Sequence, residues 1–199
     1  MLVCGPAQGA EIRTQCPLLT SDQYFFPANT FDDSDGFTRS WFGNYLTAAE
    51  EDPLSCGPPD GEESYRVIVA PSFSRTLVVR VTKSPDAIWL VAALTQRDLS
   101  YTDISDPMPF EVDWPDRLVW RWTRILSADD WSRVQAAVAY TTFWRAPPSS
   151  PSHGMDGTTW VIEGRKGNAY HAVKRWEGGM IKAFGEVLVY LSGWPVLTQ

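Results

Sequence analysis

Glu163, Tyr170 and His171 are the side chains whose types and spacing come closest to proton-transfer chemistry. They sit in two runs, Thr-Thr-Trp160-Val-Ile-Glu163-Gly and Ala-Tyr170-His171-Ala-Val-Lys-Arg-Trp176, on either side of Gly167-Asn168. Gly-Asn between two such runs is a two-residue turn signal, so the spacing predicts a β-hairpin. In that register His171 lies opposite Gly164, where its ring can cover bare backbone. Glu163 and Tyr170 share the other face as diagonal neighbours, within reach of a hydrogen bond. A carboxylate or an imidazole placed there could act as a general acid or base. The sequence supplies no second catalytic partner for either, and a structural role is the stronger reading for both.

Other chemistries lack their residues. There is no Gly-x-Ser-x-Gly, no Ser-x-x-Lys and no His beside a Cys, so the familiar nucleophile arrangements are missing. Neither a Walker A loop nor a dinucleotide fingerprint occurs. Two histidines without a Cys-x-x-Cys pair argue against zinc. Asp32-Asp33-Ser34-Asp35-Gly36 is the nearest approach to a calcium loop. Aligned on Gly36, it puts Phe31 and Phe42 where the first and the bidentate ligands belong. The cluster therefore reads as the acidic flank of a helix, and no metal or cofactor is expected. His153, in the Pro/Ser linker, reads as solvated, as do the adjacent carboxylates Glu50-Glu51 and Glu62-Glu63.

These residues need elements to position them. Ser34 or Asp35 could cap a helix running to about Ala49, with Phe37, Trp41, Phe42, Tyr45 and Leu46 as its buried face. A loop from Glu51 to Glu63 follows. Strand-like runs cover Tyr65–Ala70, Leu77–Thr82 and Ala87–Leu94, joined by short turns that favour antiparallel neighbours. A long polar excursion over 98–116 leads to Arg117–Ile125, which alternates Leu118, Trp120 and Trp122 against Arg117, Val119 and Arg121. Ser127-Ala-Asp-Asp130 starts a second helix in capping-box fashion, with Trp131, Val134 and Val138 on one side. After the linker Ala146–Pro151 and the hairpin comes a last helix, about Met180–Leu191, ending at Ser192-Gly193. Ile181, Phe184, Leu188 and Leu191 would face inward. The order α-β-β-β-β-α-β-β-α predicts an α+β fold, a mainly antiparallel sheet packed with three helices.

Ten tryptophans in 199 residues exceed what one core normally buries, which favours a contact surface. Trp120, Arg121, Trp122 and Arg124 have the composition of an interface hot spot, and Trp120, Arg121 and Trp122 are the candidate partner contacts. A net charge of −7 argues against nucleic acid, whose phosphates demand clustered cations, and favours a basic protein partner. No stretch is apolar for long enough to span a membrane as a helix.

Residues 1–10 resemble the tail of a signal peptide, with Ala7-Gln8-Gly9 in small-x-small form. That leaves 11–199 as one α+β domain. Cys4 is a poor lipobox cysteine, because Leu2 stands two residues before it. Without the leader, Cys16 and Cys56 form an even pair, read as a disulfide in an exported protein; unpaired thiols in a cytoplasmic protein are the alternative.

Trp160-Val-Ile-Glu-Gly, Tyr170-His-Ala-Val-x-Arg-Trp176 and the terminal helix, with Leu126-Ser-Ala-Asp-Asp-Trp131 leading to Phe143-Trp144, resemble a group of uncharacterised bacterial proteins, many with export signals. The resemblance covers roughly the second half. It implies a periplasmic or secreted α+β domain and assigns no activity and no functional residue. The reading that fits best is a non-enzymatic exported binding protein of the immunity or inhibitor kind. The alternatives are a hydrolase of unfamiliar type using Glu163 or His171, and a structural envelope component.

Overall fold

The computed structural model describes residues 25–31, 36–57, 62–97, 116–150, 154 and 156–194. Six antiparallel strands form one sheet: β1 (Glu63–Pro71), β2 (Thr76–Lys83), β3 (Ile88–Arg97), β4 (Asp116–Ile125), β5 (Thr158–Lys166) and β6 (Ala169–Trp176). Their spatial order is β4-β3-β2-β1-β5-β6, a meander of four strands with the β5–β6 hairpin added on the far side of β1. Three helices pack on it: α1 (Phe37–Ala48), α2 (Ala128–Tyr140) and α3 (Lys182–Ser192). The fold is α+β with an antiparallel sheet, in the element order expected.

Alternation along the strands makes two cores. Tyr65, Val67, Val79, Leu90 and Ile162 face α2 and α3 and pack with Phe184 and Leu188. Ile68, Val78, Ala93, Val161 and Ala172 face the other way, under Phe26, Phe42 and Leu46. Strand β1 is covered on both faces, which is why its residues are buried almost without interruption. The linker segment is structured where it passes β6: Lys174 N–H donates to Pro148 O at 2.7 Å, shielding the edge strand.

The start of α2 is as predicted. Ser127 Oγ accepts from Asp130 N–H at 3.1 Å, and Asp130 Oδ2 accepts from Ser127 N–H at 3.1 Å, a reciprocal capping box. At the other end of the chain, Gly193 ends α3 in the left-handed region, and Ile181, Phe184, Leu188 and Leu191 are buried.

Two expectations are corrected. First, α1 begins at Phe37 after Gly36, and Ser34 and Asp35 lie outside the described residues. Phe37 is 63% and Trp41 40% exposed, while Arg39, Phe42, Tyr45 and Leu46 face inward. The apolar surface of α1 is wider than the stripe the sheet can cover, so its leading edge stays outside.

Second, the alternation of β4 is interrupted. The register runs from Leu94↔Trp120 to Thr95↔Leu118, leaving Val119 as the extra residue of a bulge. Leu118 therefore packs on the α1 side, whereas Trp122 packs on the α2–α3 side.

Candidate functional site

Glu163 on β5 is the register partner of Arg66 on β1. Both side chains are 0% exposed. Arg66 Nε donates to Glu163 Oε2 at 2.7 Å, with Nη2 2.6 Å from the same oxygen. Tyr170 Oη donates to Glu163 Oε1 at 2.8 Å, the diagonal contact that the hairpin register predicts. Both carboxylate oxygens are thus engaged. Burial pushes the Glu163 carboxyl up, and the Arg66 guanidinium opposes that push. Burial, and then the Glu163 charge, hold the Tyr170 phenol well above its ordinary value.

Arg66 also reaches the end of α1. Its Nη1 donates to Glu51 Oε2 at 3.2 Å and to Asp52 O at 2.8 Å. Arg80, its partner across β2, donates from Nε to Glu51 Oε2 at 2.7 Å. Arg121 on β4 donates from Nη1 to Ala49 O and Glu50 O, both at 2.8 Å. Helix α1 stops because Glu50 turns left-handed at φ 55°, with Glu51 N–H returning to Leu46 O at 3.0 Å. The turn leaves carbonyls and the negative end of the helix dipole facing the sheet, where Arg121 meets the carbonyls of Ala49 and Glu50 and Arg66 that of Asp52, while Arg80 meets the Glu51 carboxylate. The expectation of a solvated Glu50-Glu51 pair is therefore corrected: Glu51 is buried inside this cluster. Glu63 is likewise tied down, accepting from Tyr65 Oη at 2.6 Å and Gln135 Nε2 at 2.9 Å.

β4 anchors α3 in the same manner on the opposite face. Trp122 Nε1 donates to Ser192 O at 3.1 Å and Arg124 Nη1 to Leu191 O at 3.0 Å, meeting the last carbonyls of that helix. The alternating Trp and Arg residues of β4 thus tie down two helix ends, one on each face of the sheet. Arg121 is not on the same face as Trp120 and Trp122. Trp120 is 56% exposed and lies 4.8 Å from Trp122, which stacks on Trp194 at 5.8 Å. Trp89 and Ile125, also exposed, are register partners near the other end of this edge.

His171 does lie opposite Gly164. Its ring packs edge-on to Phe143 at 5.1 Å, and Nε2–H donates to Ala146 O at 2.9 Å. A Cβ on Gly164 would come within 2.6 Å of the Phe143 ring and 2.9 Å of the Tyr65 ring, so the bare backbone there is required. Burial pushes the imidazole below its ordinary value, partly opposed by the bond to Ala146. Glu163 and His171 stand on opposite faces, and the structure does not bring them together.

Among the described residues no group of three or more His, Cys, Asp or Glu side chains could hold a metal ion. Asp32, Asp33 and Asp35 lie outside the described residues, as do His153, Cys4 and Cys16. Cys56 ends the short 3-10 turn Leu54–Cys56, and its pairing with Cys16 stays an expectation. Arg66 and Arg80 are not singled out by the sequence, and Glu51 is read there as solvated. One signal was present: an arginine inside the apolar run Tyr65-Arg66-Val67-Ile68 needs an anion partner wherever both faces of the strand are covered. No protein-family model matches the chain, and no curated protein matches it.

Proposed function

We propose that the chain is a non-enzymatic exported binding protein, of the immunity or inhibitor kind, that engages a basic protein partner through the β4 edge. The exposure of Trp120 on an edge strand, supported from behind by Trp122, carries this reading. A large exposed indole packed against a second ring is a usual anchor of a protein interface, because it adds much contact area. The net charge of −7 favours a basic partner for the chain as a whole. The enzymatic alternative finds less support, since Glu163 is sealed by Arg66 and Tyr170 and stands across the sheet from His171. Among the described residues no helix is long and apolar enough to cross a membrane.

The test is affinity capture from extracts of the source organism with the chain lacking residues 1–10. We expect one stoichiometric basic partner, whose retention falls at least tenfold for Trp120→Ala, about 1.4 kcal/mol or more. Equal retention by that variant, or no partner at low salt, overturns the reading.

A further inference from the structure

A cavity of about 270 Å³ opens between α3 and the ends of β1, β2 and β3. Leu77, Leu94 and Val189 supply its apolar depth, and Trp160 and Trp194 form part of its wall. An apolar cavity of about 150 Å³ accepts benzene, so this one has room for a large apolar side chain and the atoms bonded to its root.

The mouth is charged in a balanced way. Arg75 and Lys182 bring two cations, and Glu177 and Glu186 two carboxylates. Lys182 Nζ lies 5.5 Å from the centre of the Trp160 ring and 3.6 Å from Glu186 Oε1. Glu177 is held in the left-handed region at φ 55°, with Gly178 at 123° and Gly179 at 68° behind it. A non-glycine residue there costs of order 1 kcal/mol and persists only when its surroundings fix it. Here they do: Thr158 N–H donates to Glu177 Oε1 at 2.7 Å, and Glu177 N–H to Thr158 O at 2.9 Å. A Cβ on Gly157 would overlap Glu177 Oε1, and one on Gly178 would come within 2.6 Å of Lys182 Cδ. Gly157 thus leaves room for the Glu177 carboxylate, and Gly178 for the aliphatic stem of Lys182, at the rim of the cavity.

We propose that this cavity binds an α-amino acid with a large apolar side chain. The side chain enters the space over Leu77, Leu94 and Val189. The α-carboxylate meets Arg75 and Lys182, and the α-ammonium meets Glu177. A head group carrying both charges answers both sets of rim residues. A simple fatty acid leaves the carboxylates facing its own charge, and a simple amine does the same with the cations.

The experiment is calorimetric titration of the intact chain with L-phenylalanine and L-leucine, alongside octanoate and 2-phenylethylamine. Indole N–H resonances of Trp160 and Trp194 are followed by NMR in parallel. We expect saturable binding of at least one amino acid with Kd below about 1 mM. Both indole resonances should shift, and the two single-charge ligands should bind at least tenfold more weakly. Glu177→Gln and Lys182→Met should each weaken the amino acid about tenfold, the effect of losing one charge-assisted contact. Arg75→Gln, at an exposed turn position, replaces either variant if it fails to fold. Absence of binding at that concentration, unshifted indoles, octanoate binding as tightly as the amino acid, or variants with undiminished affinity each overturns the proposal.

Discussion

Arg66 and Glu163 face each other across β1 and β5 as register partners, and their ion pair at 2.6 Å joins two strands from distant parts of the chain inside a solvent-free layer. Because Arg66 also holds Glu51 and the carbonyl of Asp52, the same guanidinium fixes the sheet to the end of α1. Removing Glu163 takes away the shortest of Arg66's buried anionic contacts, leaving it Glu51 at 3.2 Å and the Asp52 carbonyl, and it strips the Tyr170 hydroxyl of its acceptor. Glu163→Ala should destabilise the fold by about 3–5 kcal/mol. The double variant Arg66→Met/Glu163→Leu should cost much less than the sum of its singles. Urea unfolding of the wild type, Glu163→Ala, the singles Arg66→Met and Glu163→Leu, and the double variant measures both numbers; additive effects would dissolve the pair as an energetic unit.

Glu50 occupies a left-handed position, φ 55°, at the end of α1, where glycine is the usual residue. Glu50→Gly relieves a backbone cost of about 1–2 kcal/mol. It forgoes only a long, exposed ion pair to Arg121 at 3.6 Å. A rise in melting temperature of a few degrees is the expected result, and thermal scans monitored by circular dichroism decide it.

Gly164 gives a contrary case. A side chain at that position would press on Phe143 and Tyr65 in the centre of one core. Gly164→Ala should therefore destabilise by about 1–3 kcal/mol, the range for overpacking. A neutral result in denaturant titration would show that the Phe143 ring can yield.

His171 makes stability depend on pH in one direction. Its folded pKa is lowered, first by burial, below the unfolded value of about 6.5. Below that pH the unfolded chain binds more protons than the folded one, so the contribution is complete above about 6.5 and is lost as pH falls through the folded value. The urea midpoint should drop on acidification from about pH 7 to about 5. His171→Gln should flatten that slope without reproducing it elsewhere. A wild-type midpoint that is constant across the window would remove the claim.

How much of this was readable in advance depends on the range of the interaction. The hairpin register placed His171 against Gly164 and Glu163 beside Tyr170, because a two-residue turn fixes every pair that follows it. The Ser127–Asp130 capping box was equally local. The burial of Glu51 was not, since adjacent glutamates after a helix look solvated until three arginines from β1, β2 and β4 converge on them. The exposed edge of α1 and the bulge at Val119 were also beyond reach. Helical spacing cannot say how wide a stripe the opposing sheet covers, and strand alternation cannot announce where it breaks.

By itself, then, the sequence determined the element order, the antiparallel pairing and the apolar faces of α2 and α3, all consequences of periods and turns a few residues long. Only the tertiary structure decided what the polar residues do. Whether an arginine is a surface charge or a pin on a helix end depends on which distant carbonyls and carboxylates share its layer, and burial makes that pairing obligatory. The Trp and Arg alternation of β4 shows the difference: read along the chain it suggests a contact surface, and in space it ties α1 to one face of the sheet and α3 to the other, leaving Trp120 exposed.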